Sequence, residues 1–264
     1  MEALRGLLRL YVWNMKLGVQ RMMAYRFDFI LSLLISILFS GIGPYLHYLY
    51  FIEASGYPGW TLNEILLFQG LLLLWFGIRD LLFGNIHEYV MKLIRTGDFD
   101  RLLVKPYSPI GVLLVSGFSL SSIGPCVTGI FILSMAWHRL NLIFSWKMAG
   151  LLVVMFAAGL ILFLAITILF SAVTIMLIQT RGIELIINRL LGFADYPVNI
   201  FPSAISSILV TLLPIAVWTF YPAQILLDRS DSGMWIAAGS SVILFWLSLQ
   251  CWKRCLYQYT SAGG

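Results

Sequence analysis

At 264 residues, 60% hydrophobic and only 11% charged, with a mean hydropathy of +0.91, the chain lacks the polar surface of a soluble globular protein, which carries about a quarter charged residues. Its net charge of +5 requires no nucleic-acid partner, because the basic residues are segregated along the chain in a way that membrane orientation explains. Cys126, Cys251 and Cys255 are too few for a disulfide framework, and Cys251 and Cys255, one helical turn apart, read as small apolar packing residues.

The first 26 residues carry Arg5, Arg9, Lys16, Arg21 and Arg26 ahead of any long apolar run, which does not fit a cleaved signal peptide. Leu4, Leu7, Leu8, Tyr11, Val12, Met15, Val19 and Met22 recur there at helical spacing, interspersed with Arg5, Arg9, Lys16 and Gln20. This predicts an amphipathic helix over 1–26 that lies on an anionic membrane surface. A plain extension of the first span is the competing reading.

No charged residue occurs between Asp28 and Glu53, Lys105 and Arg139, Lys147 and Arg181, or Asp195 and Asp228. A helix needs about 20 apolar residues to cross the hydrocarbon core, so each gap is long enough. Two shorter stretches, 62–83 and 234–252, bring the expectation to six spans. Thr61-Leu62-Asn63-Glu64 has the form of a capping box and opens the second. Ser108-Pro109 suits the start of the third, Ser145 that of the fourth near 148–178, and Ser232 that of the sixth. Lys253 and Arg254 then sit at the C-terminal end of the sixth, where cations favour the helix dipole.

The stretch 182–222 is ambiguous because of prolines at 197, 202, 214 and 222. It holds either one span near 203–221, or a more polar span at about 182–198 followed by a re-entrant segment over 200–221. Broken backbone at membrane depth must be buried in protein or face a cavity.

With alternating spans and a cytoplasmic N-terminus, fourteen Lys and Arg fall on the cytoplasmic side. Only Arg139, Lys147 and Arg229 fall outside. A bias of this size sets the orientation, with both termini cytoplasmic.

Catalytic patterns are missing from the sequence. None of the five lysines follows a glycine, so there is no GK[ST] phosphate loop. His47, His87 and His138 are isolated, without HExxH spacing, and GxSxG does not occur. No cofactor or metal is expected. Arg79 and Asp80, adjacent at the end of the second span, read as interfacial snorkelling. Gln69 reads as a helix–helix hydrogen bond, and the small residues Ser116, Gly117, Ser119, Ser121, Ser122 and Gly124 read as close packing. Glu184, Arg189 and Asp195 are the one place where intramembrane charge fits the sequence, and only in the reading with a polar span at about 182–198.

The most distinctive polar segment runs from His87 to Pro106 in the loop between the second and third spans, 84–108. Its charges alternate with apolar residues, which gives a solvated face and an apolar face. As a docking element it would insert Val90, Leu93, Ile94, Phe99, Leu102 and Leu103 into a partner's groove. Asp98, Asp100, Arg101 and Lys105 would set the orientation from the rim. Gly97 permits a chain reversal between two short helices.

Here the run IRTGDFDRLLVKPYSP resembles the cytoplasmic signature of bacterial ABC-type exporter permeases of the second class, in the branch of drug and viologen exporters. Tyr196–Leu227 with its spaced prolines is similar too, and so, more weakly, is the terminal YTSAGG. The resemblance spans the chain. It implies a single all-α permease domain over 1–264 with six spans, an interfacial helix and a re-entrant segment. It further implies pairing with a second copy or a related permease, and docking of the 84–108 loop on a separate ATP-binding subunit that holds the ATP. The competing function is an autonomous channel or secondary carrier. Membrane lipids are expected partners in either case.

The expected topology is tested by cysteine labelling from outside. Impermeant reagent should reach positions near Gly56 and Ser230 and miss those near Gly97 and Ser261. Outside labelling at Gly97 would overturn the orientation.

Overall fold

The computed structural model describes residues 2–54, 56–84, 86–177, 185 and 189–259. The described residues are predominantly helical and no strand occurs among them, so the class is all-α.

Helix α1 (Glu2–Ala24) ends at Tyr25. Its Leu7, Tyr11, Asn14 and Gly18 form one face at helical spacing and turn toward the rest of the chain. There Tyr11 Oη donates to Leu82 O (3.1 Å) and Asn14 Nδ2 to Val115 O (3.1 Å). Leu8, Val12, Trp13 and Val19 stay exposed on other sides. The apolar stripe expected from sequence is therefore divided between protein contact and the surroundings.

Helices α2 (Arg26–Ser40) and α3 (Ile42–Glu53) meet at Gly41 and make one apolar stretch of 28 residues. The other stretches long and apolar enough to cross a membrane are Leu62–Phe83, Leu120–Arg139, Trp146–Met176 and Gly233–Tyr257, making five among the described residues. Of the expected fifth span near 182–198, residues 182–184 and 186–188, Glu184 among them, lie outside the described residues, and from Gly192 onward the chain is in 3-10 turns and not in a continuous helix.

Helix α4 (Leu62–Phe83) starts with the expected capping box. Thr61 N donates to Glu64 Oε2 (2.8 Å) and Glu64 N to Thr61 Oγ1 (3.4 Å). The third span differs from expectation. Ser108 does cap a helix, α7 (Pro109–Val115), with Gly111 N donating to its Oγ at 3.2 Å, but that helix stops after two turns. Ser116 returns its hydroxyl to Val112 O (2.9 Å), and Ser119 N leaves the helix to donate to Leu81 O (3.0 Å). The crossing stretch begins again at Leu120 and continues as α8 (Ile123–Arg139). Gly117 sits against Phe83, where a β-carbon would stand 2.8 Å from the Phe83 Cα.

Helix α9 (Trp146–Leu177) begins beside Ser145 as expected. Its 32 residues span about 48 Å, longer than the hydrocarbon core. From Gly192 to Leu227 the chain is broken into 3-10 turns and two short helices, α10 (Ser203–Thr211) and α11 (Phe220–Leu226). Helix α12 (Gly233–Tyr257) follows. Ser232 does not cap it with its side chain; Gly233 N donates to Asp231 Oδ1 at 2.8 Å instead.

Glycines bring α4 and α8 together. A β-carbon on Gly70 would lie 2.7 Å from Leu133 N, one on Gly77 2.8 Å from Cys126 N, and one on Gly129 2.7 Å from Leu74 N. These are backbone atoms, so the neighbours cannot yield by a rotamer change. Close approach of this kind replaces the hydrophobic drive that helices lack in lipid. The largest core lies on the other side of α4, where Trp75 packs on Phe156 (centroids 4.8 Å apart) and Trp218 (6.3 Å).

Gly70→Ala and Gly129→Ala should each lower stability by roughly 1–3 kcal/mol through overpacking. Gly150→Ala and Gly239→Ala, with nothing within 4 Å, should be neutral or stabilising by up to about 1 kcal/mol from helix propensity. Thermal melts of the purified chain in detergent check this. Equal melting of the Gly70 and Gly150 variants would contradict the packing assignment.

Candidate functional site

The 84–108 loop folds as two short helices, α5 (Ile86–Arg95) and α6 (Phe99–Leu103), joined at Gly97. Gly97 has φ +71°, a left-handed conformation that disfavours other residues. Thr96 Oγ1 bridges the turn from Lys92 O (3.0 Å) to Asp98 Oδ2 (2.7 Å), and Arg101 Nη1 lies 2.9 Å from Asp98 Oδ1.

The loop has two faces, but the apolar one points inward. Ile86, Val90 and Leu93 repeat at i, i+4 and i+7 on α5 and are buried, together with Phe99 and Leu102 of α6. They pack on Val112 and Leu113 of α7, Ile168, Ala172 and Ile175 of α9, and Trp252 and Cys255 of α12. The Phe99 ring meets Tyr259 at 5.1 Å and Trp252 at 6.5 Å. The expectation that Val90, Leu93, Phe99 and Leu102 enter a partner's groove is therefore corrected, since their own chain already occupies them. The side chain of Ile94 is outside what the structure describes. Of the expected anchors Leu103 remains open, 40% exposed. Beside it Val104, which the sequence reading passed over, is 85% exposed. Lys92, Thr96, Gly97, Arg101, Lys105 and Pro106 are exposed around them. The surface offered by the loop is thus a small apolar point inside a charged rim.

A second feature lies at the other end of α4. A cavity of about 530 Å³ opens between α2–α3, α4 and residues 195–196. His47, Tyr50, Tyr57 and Tyr196 form its aromatic wall, with Tyr50 and Tyr57 stacked at 4.9 Å and His47 sharing a 3.0 Å hydrogen bond with Tyr57 Oη. Burial, aided by neighbouring Tyr196 and Tyr50, pushes the Tyr57 phenol up to about 12, so it stays neutral at physiological pH. Gln69, buried in the cavity floor, donates to Asp195 O (2.9 Å). The expected helix–helix bond is in fact a bond from a helix to broken backbone.

Sequence reasoning missed two ion pairs. Arg229 Nη2 reaches Glu64 Oε1 at 2.5 Å, so the capping-box carboxylate holds both its own helix start and the segment after α11. Arg79 and Asp80 do not snorkel apart. The guanidinium lies over the Phe76 ring (4.4 Å) and the Phe163 ring (5.0 Å) and returns to Asp80 Oδ1 at 2.6 Å. Adjacency on the helix does not separate them, because the arginine is long enough to curl back. Arg189 is exposed. Among the described residues no three of His, Cys, Asp and Glu converge on a metal site.

This arrangement of apolar helices, broken buried backbone and a braced surface loop is that of a multi-pass membrane protein. The family model described as ABC-2 family transporter protein matches residues 25–263, and the chain belongs to that family, as a membrane component of ABC transporters that is not itself catalytic. Comparison with curated proteins and with solved structures returns no significant match.

Burial separates two neighbouring positions. Leu102→Asp places a charge in the packed base of the loop and should lower stability by several kcal/mol. Val104→Asp, in the open, should change it by no more than about 0.5 kcal/mol. Melting the two purified variants in detergent compares them directly; a wild-type melting point for Leu102→Asp would mean that the loop does not pack on the spans.

Proposed function

We propose that the chain is the transmembrane subunit of an ATP-driven exporter in the bacterial inner membrane. In this reading it pairs with a second copy or a related permease, and a separate ATP-binding subunit docks on the 84–108 loop. The observation that carries the reading is the loop itself. Its inner face is built into two spanning helices, α9 and α12, and the short helix α7, while Leu103 and Val104 stand out from a charged rim. A loop anchored in this way is suited to pass a push from a soluble partner to α9 and α12.

Six spans then include one near 182–198, and 200–221 dips in from the outer side and returns. Three polar side chains of or facing that region are bonded inside the protein, which supports a re-entrant segment. Trp218 Nε1 donates to Gly159 O (3.1 Å), Thr219 Oγ1 to Ala194 O (3.3 Å), and Trp60 Nε1 to Asn199 Oδ1 (2.9 Å). Both termini are cytoplasmic, and α1 lies in the inner leaflet with its exposed Trp13 and Val12 toward lipid. The aromatic and amide lining of the cavity beside α4 suits an amphiphilic cargo.

The test is capture of the ATP-binding subunit by the permease at equal membrane expression. Leu103→Asp with Val104→Asp should reduce capture more than about tenfold, the loss expected for an interface anchor, and leave melting unchanged. Arg101→Glu should weaken capture in a salt-dependent way. The isolated chain should not hydrolyse ATP. Hydrolysis by the isolated chain would remove the half-transporter reading, and undiminished capture would move the docking surface to α1.

A further inference from the structure

Three sulfur atoms meet at the base of the 84–108 loop. Cys251 and Cys255 lie one turn apart on α12 with their Sγ atoms 4.0 Å from each other, and Cys255 Sγ is 3.3 Å from Met176 Sδ near the end of α9. Two cysteines would leave a site short of donors; the methionine supplies the third. Cys255 belongs to the core that holds Phe99, Leu102, Ile175 and Trp252, Cys251 packs against it, and Met176 reaches it through Cys255.

The spacing fits a metal ion. Metal–thiolate bonds of about 2.3 Å place sulfur atoms about 4 Å apart around a three-coordinate ion. The cysteine pair already has this separation. Met176 sits closer than that, at 3.3 Å, and its unbranched side chain, 53% exposed, is free to withdraw by the roughly 0.7 Å required. The donor set is soft throughout, two thiolates and a thioether, which selects Cu(I) over borderline or hard cations.

We propose that Met176, Cys251 and Cys255 form a binding site for one soft monovalent metal ion of the Cu(I) type. Both thiols give up their protons on binding, so the loaded site carries one net negative charge. Under the topology proposed above the site is on the cytoplasmic side, where thiols stay reduced. Metal binding there would stiffen the junction of α9 and α12 on which the loop rests. The site itself stands whether or not the chain is an exporter.

The experiment uses the full chain in detergent, loaded anaerobically with Cu(I) against a chromophoric chelator. Wild type and Cys126→Ser should each retain one Cu(I). Cys251→Ser and Cys255→Ser should lose more than about 100-fold in affinity, beyond the 10–100-fold that a supporting residue costs, and Met176→Leu about tenfold. X-ray absorption on the loaded wild type should show sulfur ligands alone at about 2.3 Å, which decides the matter even where a cysteine variant folds poorly. No Cu(I) retained by wild type, nitrogen or oxygen ligation, unchanged binding in Cys251→Ser or Met176→Leu, or loss in Cys126→Ser would overturn the site.

Discussion

A buried amide without a partner costs several kcal/mol, and the arrangement of this chain depends on how it meets that demand between Gly192 and Leu227. The prolines there prevent a continuous helix, so carbonyls and amides are freed that helical hydrogen bonding would have satisfied. Side chains meet part of the demand. Gln69 of α4 donates to the Asp195 carbonyl and Thr219, within the segment, to the Ala194 carbonyl, while the Trp218 indole ties the segment to Gly159 O of α9. These bonds need α4 and α9 close on both sides, and Trp75, Phe156 and Trp218 pack together in the same place. The Glu64–Arg229 pair then closes the end of the segment against the start of α4.

Helix α4 is thereby committed on two faces. One carries Gly70 and Gly77, two turns apart, against α8; the other carries Trp75 against the broken segment. It is the most enclosed of the candidate spans, whereas α2–α3 is almost entirely open along its length. An apolar helix that open suits lipid or a second permease equally well. A helix fixed on both sides can transmit displacement between its ends, and its ends carry the aromatic cavity and the start of the loop.

What the sequence revealed depended on the range of the interactions involved. Local chemistry was legible: the capping box at Thr61, the cap and early proline at Ser108, and the reversal at Gly97 are all decided within a few residues. Apolar periodicity located four of the long stretches within a few positions. The break after Val115 was not legible, because it depends on Ser119 finding Leu81 and on Gly117 meeting Phe83, more than thirty residues away. The direction of the loop's apolar face was misread for a related reason. An amphipathic helix states that one side is buried and is silent about what buries it. The partners proved to be α7, α9 and α12 of the same chain. The Arg79–Asp80 pair was missed because face geometry describes where side chains leave a helix, and not where a long one can return.

The inward face of the loop changes what coupling would require. A loop held to its partner by all its apolar residues would be a detachable plug, and its motion need not follow the spans. Here Phe99 and Leu102 are fixed between Trp252, Tyr259 and the α9 surface, so the loop and the ends of α9 and α12 move as one body or the core is broken. Breaking it would expose several large side chains at about 1.5–3 kcal/mol each. Rigid coupling is therefore the lower-energy course. In the docking proposed above, a partner would meet the loop at Leu103 and Val104, with the charged rim setting its orientation. The sulfur cluster lies in that same base, between α9 and α12, at the position where a bound ion would have the most effect on how the two helices move together.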